Sequence, residues 1–179
     1  MQATPATLVN ELLIKGSDDT HTLSVYVANK PGVLARIAQV FARRGYNIDS
    51  LVVSPSRDGK YSRMTITAKG DPEGLDQIIA QVNKLVDVIR CVDHTGENAV
   101  EKELALIKVG VSFEGRGEVL QFAEHFKCKA VDLTESSIIL MATGDTDKID
   151  SLVKLLAKYK IIEMVRTGKV VMARGHQAT

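Results

Sequence analysis

An α+β fold built from two consecutive βαββαβ units is predicted by three observations. Runs of period-two alternation and stripes at helical spacing follow one another in the order strand, helix, strand, strand, helix, strand. That whole order then occurs a second time within 179 residues. Aromatic residues make up only 4% of the chain and Trp is absent, so each core has to be assembled from Val, Ile, Leu and Ala.

Residues 1–20 read as a loose arm, in which Leu8, Leu12, Leu13 and Ile14 could form a short helix that Gly16-Ser17-Asp18-Asp19 stops. From His21 the pattern sharpens. Leu23, Val25 and Val27 alternate with Ser24, Tyr26 and Ala28, the signature of a strand with one buried face. Asn29-Lys30-Pro31-Gly32 breaks the alternation, and Val33, Leu34, Ile37, Ala38, Val40 and Phe41 recur at helical spacing. Pro31 suits a first-turn position and Gly45 a left-handed cap at the helix end. Ile48–Val53 reads as a strand, Pro55-Ser56-Arg57-Asp58-Gly59 as a hairpin turn, and Met64, Ile66 and Ala68 as the inward positions of a third strand. Asp71-Pro72 opens a second helix striped by Leu75, Ile78, Ile79, Val82, Leu85 and Val86, and Asp87–Val92 closes the unit as a strand. This is the ferredoxin-like arrangement.

The second unit repeats the order. Ala105, Ile107, Val109 and Val111 mark a strand, and Val119, Phe122, Ala123 and Phe126 stripe a helix after Gly115-Arg116-Gly117. Ala130–Leu133 and Ile138–Ala142 are strands around Glu135-Ser136. A helix capped by Asp145 or Thr146 carries Ile149, Leu152, Val153, Leu156 and Tyr159, and Ile161–Val165 and Val170–Met172 flank a turn at Thr167-Gly168. The expected divisions are an arm over 1–20, a first unit over 21–95, a linker over 96–103, a second unit over 104–175 and a tail over 176–179. In the first unit the helices leave one sheet face uncovered, carrying Ser24, Tyr26, Arg63, Thr65 and Thr67. A solvated face and a docking face fit that composition equally well.

Composition excludes several classes. With 23 basic and 22 acidic residues the formal net charge is +1, without the basic excess of a nucleic-acid binder. The start lacks a signal sequence, and no run approaches the ~20 apolar residues of a membrane span. Cys91 and Cys128 are far apart and form no CxxC, which suits reduced thiols in a cytoplasmic protein. No catalytic set stands out. His21, His94, His125 and His176 fall in different elements without metal-ligand spacing and read as surface or loop histidines, so neither catalytic nor metal-binding residues are expected. Gly115-Arg116-Gly117 lacks the third glycine of a phosphate-binding loop and reads as a turn into a helix.

One segment does suit a ligand. Asn29-Lys30-Pro31-Gly32-Val33-Leu34 joins the first strand to a helix whose first N–H groups and partial positive charge favour a carboxylate. Gly32 permits close backbone approach, the Asn29 amide could meet an ammonium, and Val33 and Leu34 could line an apolar pocket. The same string is also an ordinary loop-to-helix transition, and the residues alone leave both readings open.

The stretch VANKPGVLARIAQVFARRGYNIDSLVV, from Val27 to Val53, resembles the opening of an ACT domain, and more narrowly that of the regulatory small subunits of acetohydroxyacid synthase. SRMTI at Ser62–Ile66, KLVDVIRCVD at Lys84–Asp93, EKELALIKV at Glu101–Val109, DKIDSLVKLL and EMVRTGKVVMARG resemble the same family, from about His21 to Gly175. The resemblance implies a chain without acetolactate-forming activity. It would activate a catalytic large subunit that carries thiamine diphosphate, Mg and FAD, hold no cofactor itself, and confer feedback inhibition by valine, isoleucine or leucine. It also implies a homodimer through the ACT domains, with the effector between Asn29, Lys30, Pro31, Gly32, Val33 and Leu34 of one chain and Asn47 and Ile48 of the other. No nucleic acid or membrane partner is expected. A stand-alone amino-acid sensor is the alternative function, and a small enzyme on the same scaffold a second one.

Overall fold

The computed structural model describes residues Thr20–His176 and Thr179; the arm expected over 1–19 and part of the tail lie outside them. The elements run β1 (Thr20–Ala28), α1 (Val33–Arg43), β2 (Ile48–Pro55), β3 (Tyr61–Lys69), α2 (Pro72–Val82) and β4 (Val88–Asp93). They continue as β5 (Ala99–Gly110), α3 (Phe113–His125), β6 (Lys129–Leu133), β7 (Ser137–Gly144), α4 (Thr146–Leu156), β8 (Lys160–Arg166) and β9 (Val170–Ala173). The first sheet has the order β2-β3-β1-β4, and β6-β7-β5-β8 repeats it in the second. Both are antiparallel throughout the registers of these strands, so each half is a ferredoxin-like unit.

Period-two alternation decides which face each strand buries. In the first unit Leu23, Val25 and Val27 are fully buried, together with Met64, Ile66 and Ala68 of β3. Val33, Ile37 and Phe41 of α1 and Leu75, Ile78 and Val82 of α2 cover them. α1 ends in a Schellman motif: Gly45, at φ +71°, donates to Ala42 O and Tyr46 to Phe41 O. α2 begins at Asp71, whose carboxylate accepts from Gly74 N and from the Tyr46 hydroxyl, both at 2.7 Å. Gly70 and Gly74 leave room for that ring, since a Cβ at either would fall within 2 Å of a Tyr46 atom. α2 is shorter than its stripe suggested: it stops at Val82, and Val86 is fully exposed.

The second unit has its own core of Ala105, Ile107, Val109, Ile138, Leu140 and Ala142 beneath Val119, Ile149, Leu152, Val153 and Leu156. At its margin Arg166, 5% exposed, pairs with Glu103, 2% exposed, and with Asp150 at 2.6 Å. Gly115-Arg116-Gly117 lies inside α3 rather than ahead of it, and Gly115 is where the Tyr159 ring packs, 2.9 Å from where a Cβ would sit.

Two expectations about the chain path differ from the structure. Ala99–Gly110 is one continuous strand, so most of the stretch read as a linker is β5. Val170–Ala173 pairs with β5 rather than closing a hairpin with β8. By compactness the described chain divides into Thr20–Glu101 with Gly168 onward, and Lys102–Thr167. The first unit therefore regains its last strand after the second is complete. β9 returns to the sheet face left free by the helices: a Cβ on Gly168 would lie 2.2 Å from Ser50 Oγ, which hydrogen-bonds Thr67 at 2.6 Å. Ser24, Thr65 and Thr67, expected on an open face, are only 3–5% exposed.

Two stability predictions follow from these contacts. Arg166→Met should cost about 3–5 kcal/mol in chemical denaturation, because it strands the Glu103 carboxylate in the interior, and Glu103→Met in the same chain should restore most of it. The Tyr46 hydroxyl, and then Gly74 N–H, hold the Asp71 carboxyl below its ordinary pKa. A depressed folded pKa contributes stability in full above the unfolded value and loses it as pH falls through the folded one. The acid limb of thermal stability below about pH 4 should therefore flatten in Asp71→Asn.

Candidate functional site

The turn from β1 into α1 is held by backbone and side-chain bonds of the sequence-predicted residues. Asn29 N donates to Lys60 O at 2.9 Å, and its Nδ2 donates to Gly59 O at 3.0 Å, fixing the loop to the β2–β3 hairpin. With the amide nitrogen committed, its Oδ1 is left as an acceptor, and among the described residues no donor meets it. Lys30 N donates to Ala28 O, and Pro31 occupies the turn before the helix rather than its first turn. The N-cap is Gly32, in the left-handed region at φ 82°, ψ −8°. Only glycine enters that region without cost. The first full intrahelical bond runs from Arg36 N to Gly32 O, while Val33 N lies 3.5 Å from Lys30 O. The N–H groups of Leu34 and Ala35 precede the helical ladder and face the positive end of the helix dipole.

The two apolar residues divide. Val33 is 3% exposed and belongs to the core, so its side chain is out of reach of the loop surface; Leu34 is 39% exposed and is the apolar surface of the loop. Lys30 turns to Asp87, with Nζ 3.5 Å from Oδ1, and Arg36 pairs with the other carboxylate oxygen. Asp87 O also accepts from Ala28 N at 2.8 Å, so this acid ties β1, α1 and the approach to β4 together. Two cations against one carboxylate leave the loop mouth positive. Sequence reasoning missed Arg36 and Asp87 as neighbours of the loop. Arg36 is one turn beyond Gly32, which was a usable signal; Asp87 is 51 residues away from it and gave none.

Asn47 and Ile48 are not brought to this loop within one chain. Asn47 Nδ2 donates to Asp49 at 3.2 Å, and Ile48 rests on the core at the start of β2. Ala28 lies opposite Tyr61, whereas Ile48 lies opposite Ala68. From Tyr61 to Ala68 is seven steps along β3 at about 3.3 Å each, roughly 23 Å. Each chain therefore carries the two halves of the expected site at opposite ends of one sheet, and the strand bearing Ile48 is the edge strand.

Two histidines and one cysteine are tied up in structure. His21 and His94, expected at the surface or in loops, are 7% and 5% exposed, against Asp93 at 3.4 Å and Glu97 at 2.6 Å respectively. Burial, reinforced by the Asp93 charge, pushes the Cys91 thiol up to about 12, away from nucleophilic use. Among the described residues no set of three or more His, Cys, Asp or Glu converges on a metal-sized space, and no helix is long and apolar enough to cross a membrane.

The chain is similar to known proteins along most of its length. Residues 23–90 match the family described as AHAS small subunit-like ACT domain, and residues 102–175 the family described as small subunit of acetolactate synthase. The probable acetolactate synthase small subunit of Archaeoglobus fulgidus is 45% identical over 157 residues, 88% of this chain and 98% of that one. The acetolactate synthase small subunit of Mycolicibacterium smegmatis is 43% identical over 87% of this chain and 92% of its own length. Among solved structures, the acetolactate synthase small subunit of Thermotoga maritima aligns over 88% of this chain and 99% of its own, with TM-score 0.79 and 39% identity.

Gly32→Ala leaves room for its methyl, with Arg36 Nη1 3.6 Å away, but places a Cβ in the left-handed region. It should lower unfolding free energy by about 1–2 kcal/mol without disturbing the core, as read by urea titration and the near-UV circular dichroism of the folded state.

Proposed function

The chain belongs to the acetolactate synthase small-subunit family and is a regulatory subunit, with catalysis residing in the large subunit, and on that premise we propose that it senses a branched-chain amino acid through its ACT unit. The observation that carries this reading is the pairing of a left-handed Gly32 N-cap with an Asn29 amide whose nitrogen is already used. The effector carboxylate meets N–H groups at Gly32 and Val33, extending into the first turn. Its ammonium meets Asn29 Oδ1, and its aliphatic side chain rests on Leu34. Thiamine diphosphate, Mg and FAD act in the catalytic partner, and the unpaired thiols suit a cytoplasmic chain.

The second half of the site comes from a second copy. Exposed edge strands are templates for pairing. Two β2 edges meeting antiparallel about a two-fold axis would bring Asn47 and Ile48 of one chain to the end of the sheet where Asn29 and Gly32 of the other stand. A two-fold interface then carries two equivalent sites. Effector bound there spans both chains, so it biases how the dimer is arranged and thereby how the large subunit is engaged. Such an effect requires unequal affinity for two states, and the coupling is reciprocal, ordinarily about 1–3 kcal/mol.

Isothermal titration calorimetry of L-valine, with isoleucine and leucine beside it, tests this placement. We expect saturable binding near one site per chain, lost in Gly32→Asp, where bulk and negative charge occupy the carboxylate position while activation of the large subunit survives. Full valine inhibition retained by Gly32→Asp would overturn the placement.

A further inference from the structure

The sheet face opposite the helices of the first unit holds a cleft of about 600 Å³, a size suited to a small organic ligand. The strand registers set Ser54, Arg63, Tyr26 and Arg90 in one row across β2, β3, β1 and β4, and all four line the cleft. The strand β9 supplies a wall through Val170 and Met172, which are 44% and 62% exposed. Ile89 adds a further apolar surface.

The two arginines of this row differ from Arg36 and Arg166 in their partners. Arg36 and Arg166 are matched by Asp87 and by Glu103 with Asp150. Among the described residues no carboxylate pairs with Arg63 or Arg90. The Arg63 guanidinium lies 5.8 Å from the centre of the Tyr26 ring, and its Nε is shut off from solvent without an acceptor. A buried N–H of a charged group left unbonded is costly, and native structures rarely retain one without a partner. Guanidinium is also the side chain best shaped to grip a carboxylate or phosphate with two parallel bonds.

We propose that this cleft binds a small organic anion, a carboxylate or phosphate borne on an apolar body. Arg63 and Arg90 hold the anionic group, and the body lies against Tyr26, Ile89 and the β9 side chains. The site shares no residue with the Asn29–Leu34 loop and stands whether or not that loop binds an amino acid. Because β9 is one wall, an occupied cleft also holds the returning C-terminal segment against the first sheet.

The test is calorimetry on the full chain with inorganic phosphate, hexanoate and hexyl phosphate, repeated in Arg63→Met and Arg90→Met, with L-valine titrated into the same samples. We expect hexanoate or hexyl phosphate to saturate near one per chain, each variant to weaken it by about tenfold or more, and valine binding to be unaffected. Saturation by hexanoate alone assigns the site to carboxylates, and by hexyl phosphate alone to phosphates; inorganic phosphate binding as tightly as hexyl phosphate would overturn the role of the apolar walls. Absence of saturation with all three, or affinity unchanged in both variants, overturns the proposal. Should circular dichroism show Arg63→Met unfolded, Arg90→Met, at an exposed position, decides the outcome.

Discussion

Two helices can cover only one face of a four-stranded sheet, and much of this chain is arranged around what happens to the other face. Alternation along β1 and β3 sends Leu23, Val25, Val27, Met64, Ile66 and Ala68 toward the helices and leaves Ser24, Tyr26, Arg63, Thr65 and Thr67 behind them. Hydroxyl side chains suit that second face because they satisfy one another, as Ser50 and Thr67 do, and tolerate partial cover. In the second unit the corresponding face keeps Leu106, Ile139 and Val165 around a Lys108–Glu163 pair at 3.5 Å. The same topology thus presents a polar reverse side in one unit and an apolar one in the other.

The other constraint is the edge. In the order β2-β3-β1-β4 the first strand, which leads into the Asn29–Leu34 loop, is internal and paired on both sides. The strand that carries Ile48 is at the margin. A loop anchored to an internal strand keeps its geometry, while a marginal strand is free to find a second chain. On the proposal that two such edges pair, one sequence builds half of a binding site stiffly and borrows the other half, so occupancy and association become linked quantities.

Much of this was legible in the sequence for physical reasons. Period-two and helical patterns mark β1, α1, β3 and α4 because each of these buries one face against a continuous core. Asp71-Pro72 and Gly45 announced their caps because only a few residue types satisfy those backbone positions. The failures share a cause in long-range contact. Val33 sits at helical spacing and was read as a pocket wall, but its position on α1 points it inward with Ile37 and Phe41. Asp87, which organises Lys30 and Arg36, gave no local sign of doing so. Val170–Met172 is a strand after the turn at Thr167-Gly168, as its alternation suggests, but its pairing with β5 is a choice no nearby residue dictates. Likewise composition left the face carrying Thr67 open between solvent and docking, because Gly168, which closes on its partner Ser50, arrives about a hundred positions later.

The return of β9 also bears on how this architecture can be taken apart. By chain path the second unit is an insertion between Glu101 and Gly168, not a bead added at the end of a string. A stop at Glu101 would remove the second unit and, with it, one wall of the first. Recombination that exchanged the second unit would have to respect two junctions at once, and a shortened relative could persist only by finding another cover for its hydroxyl-lined face. What reads in the sequence as two units in tandem is, in dissection, one unit set within the path of the other.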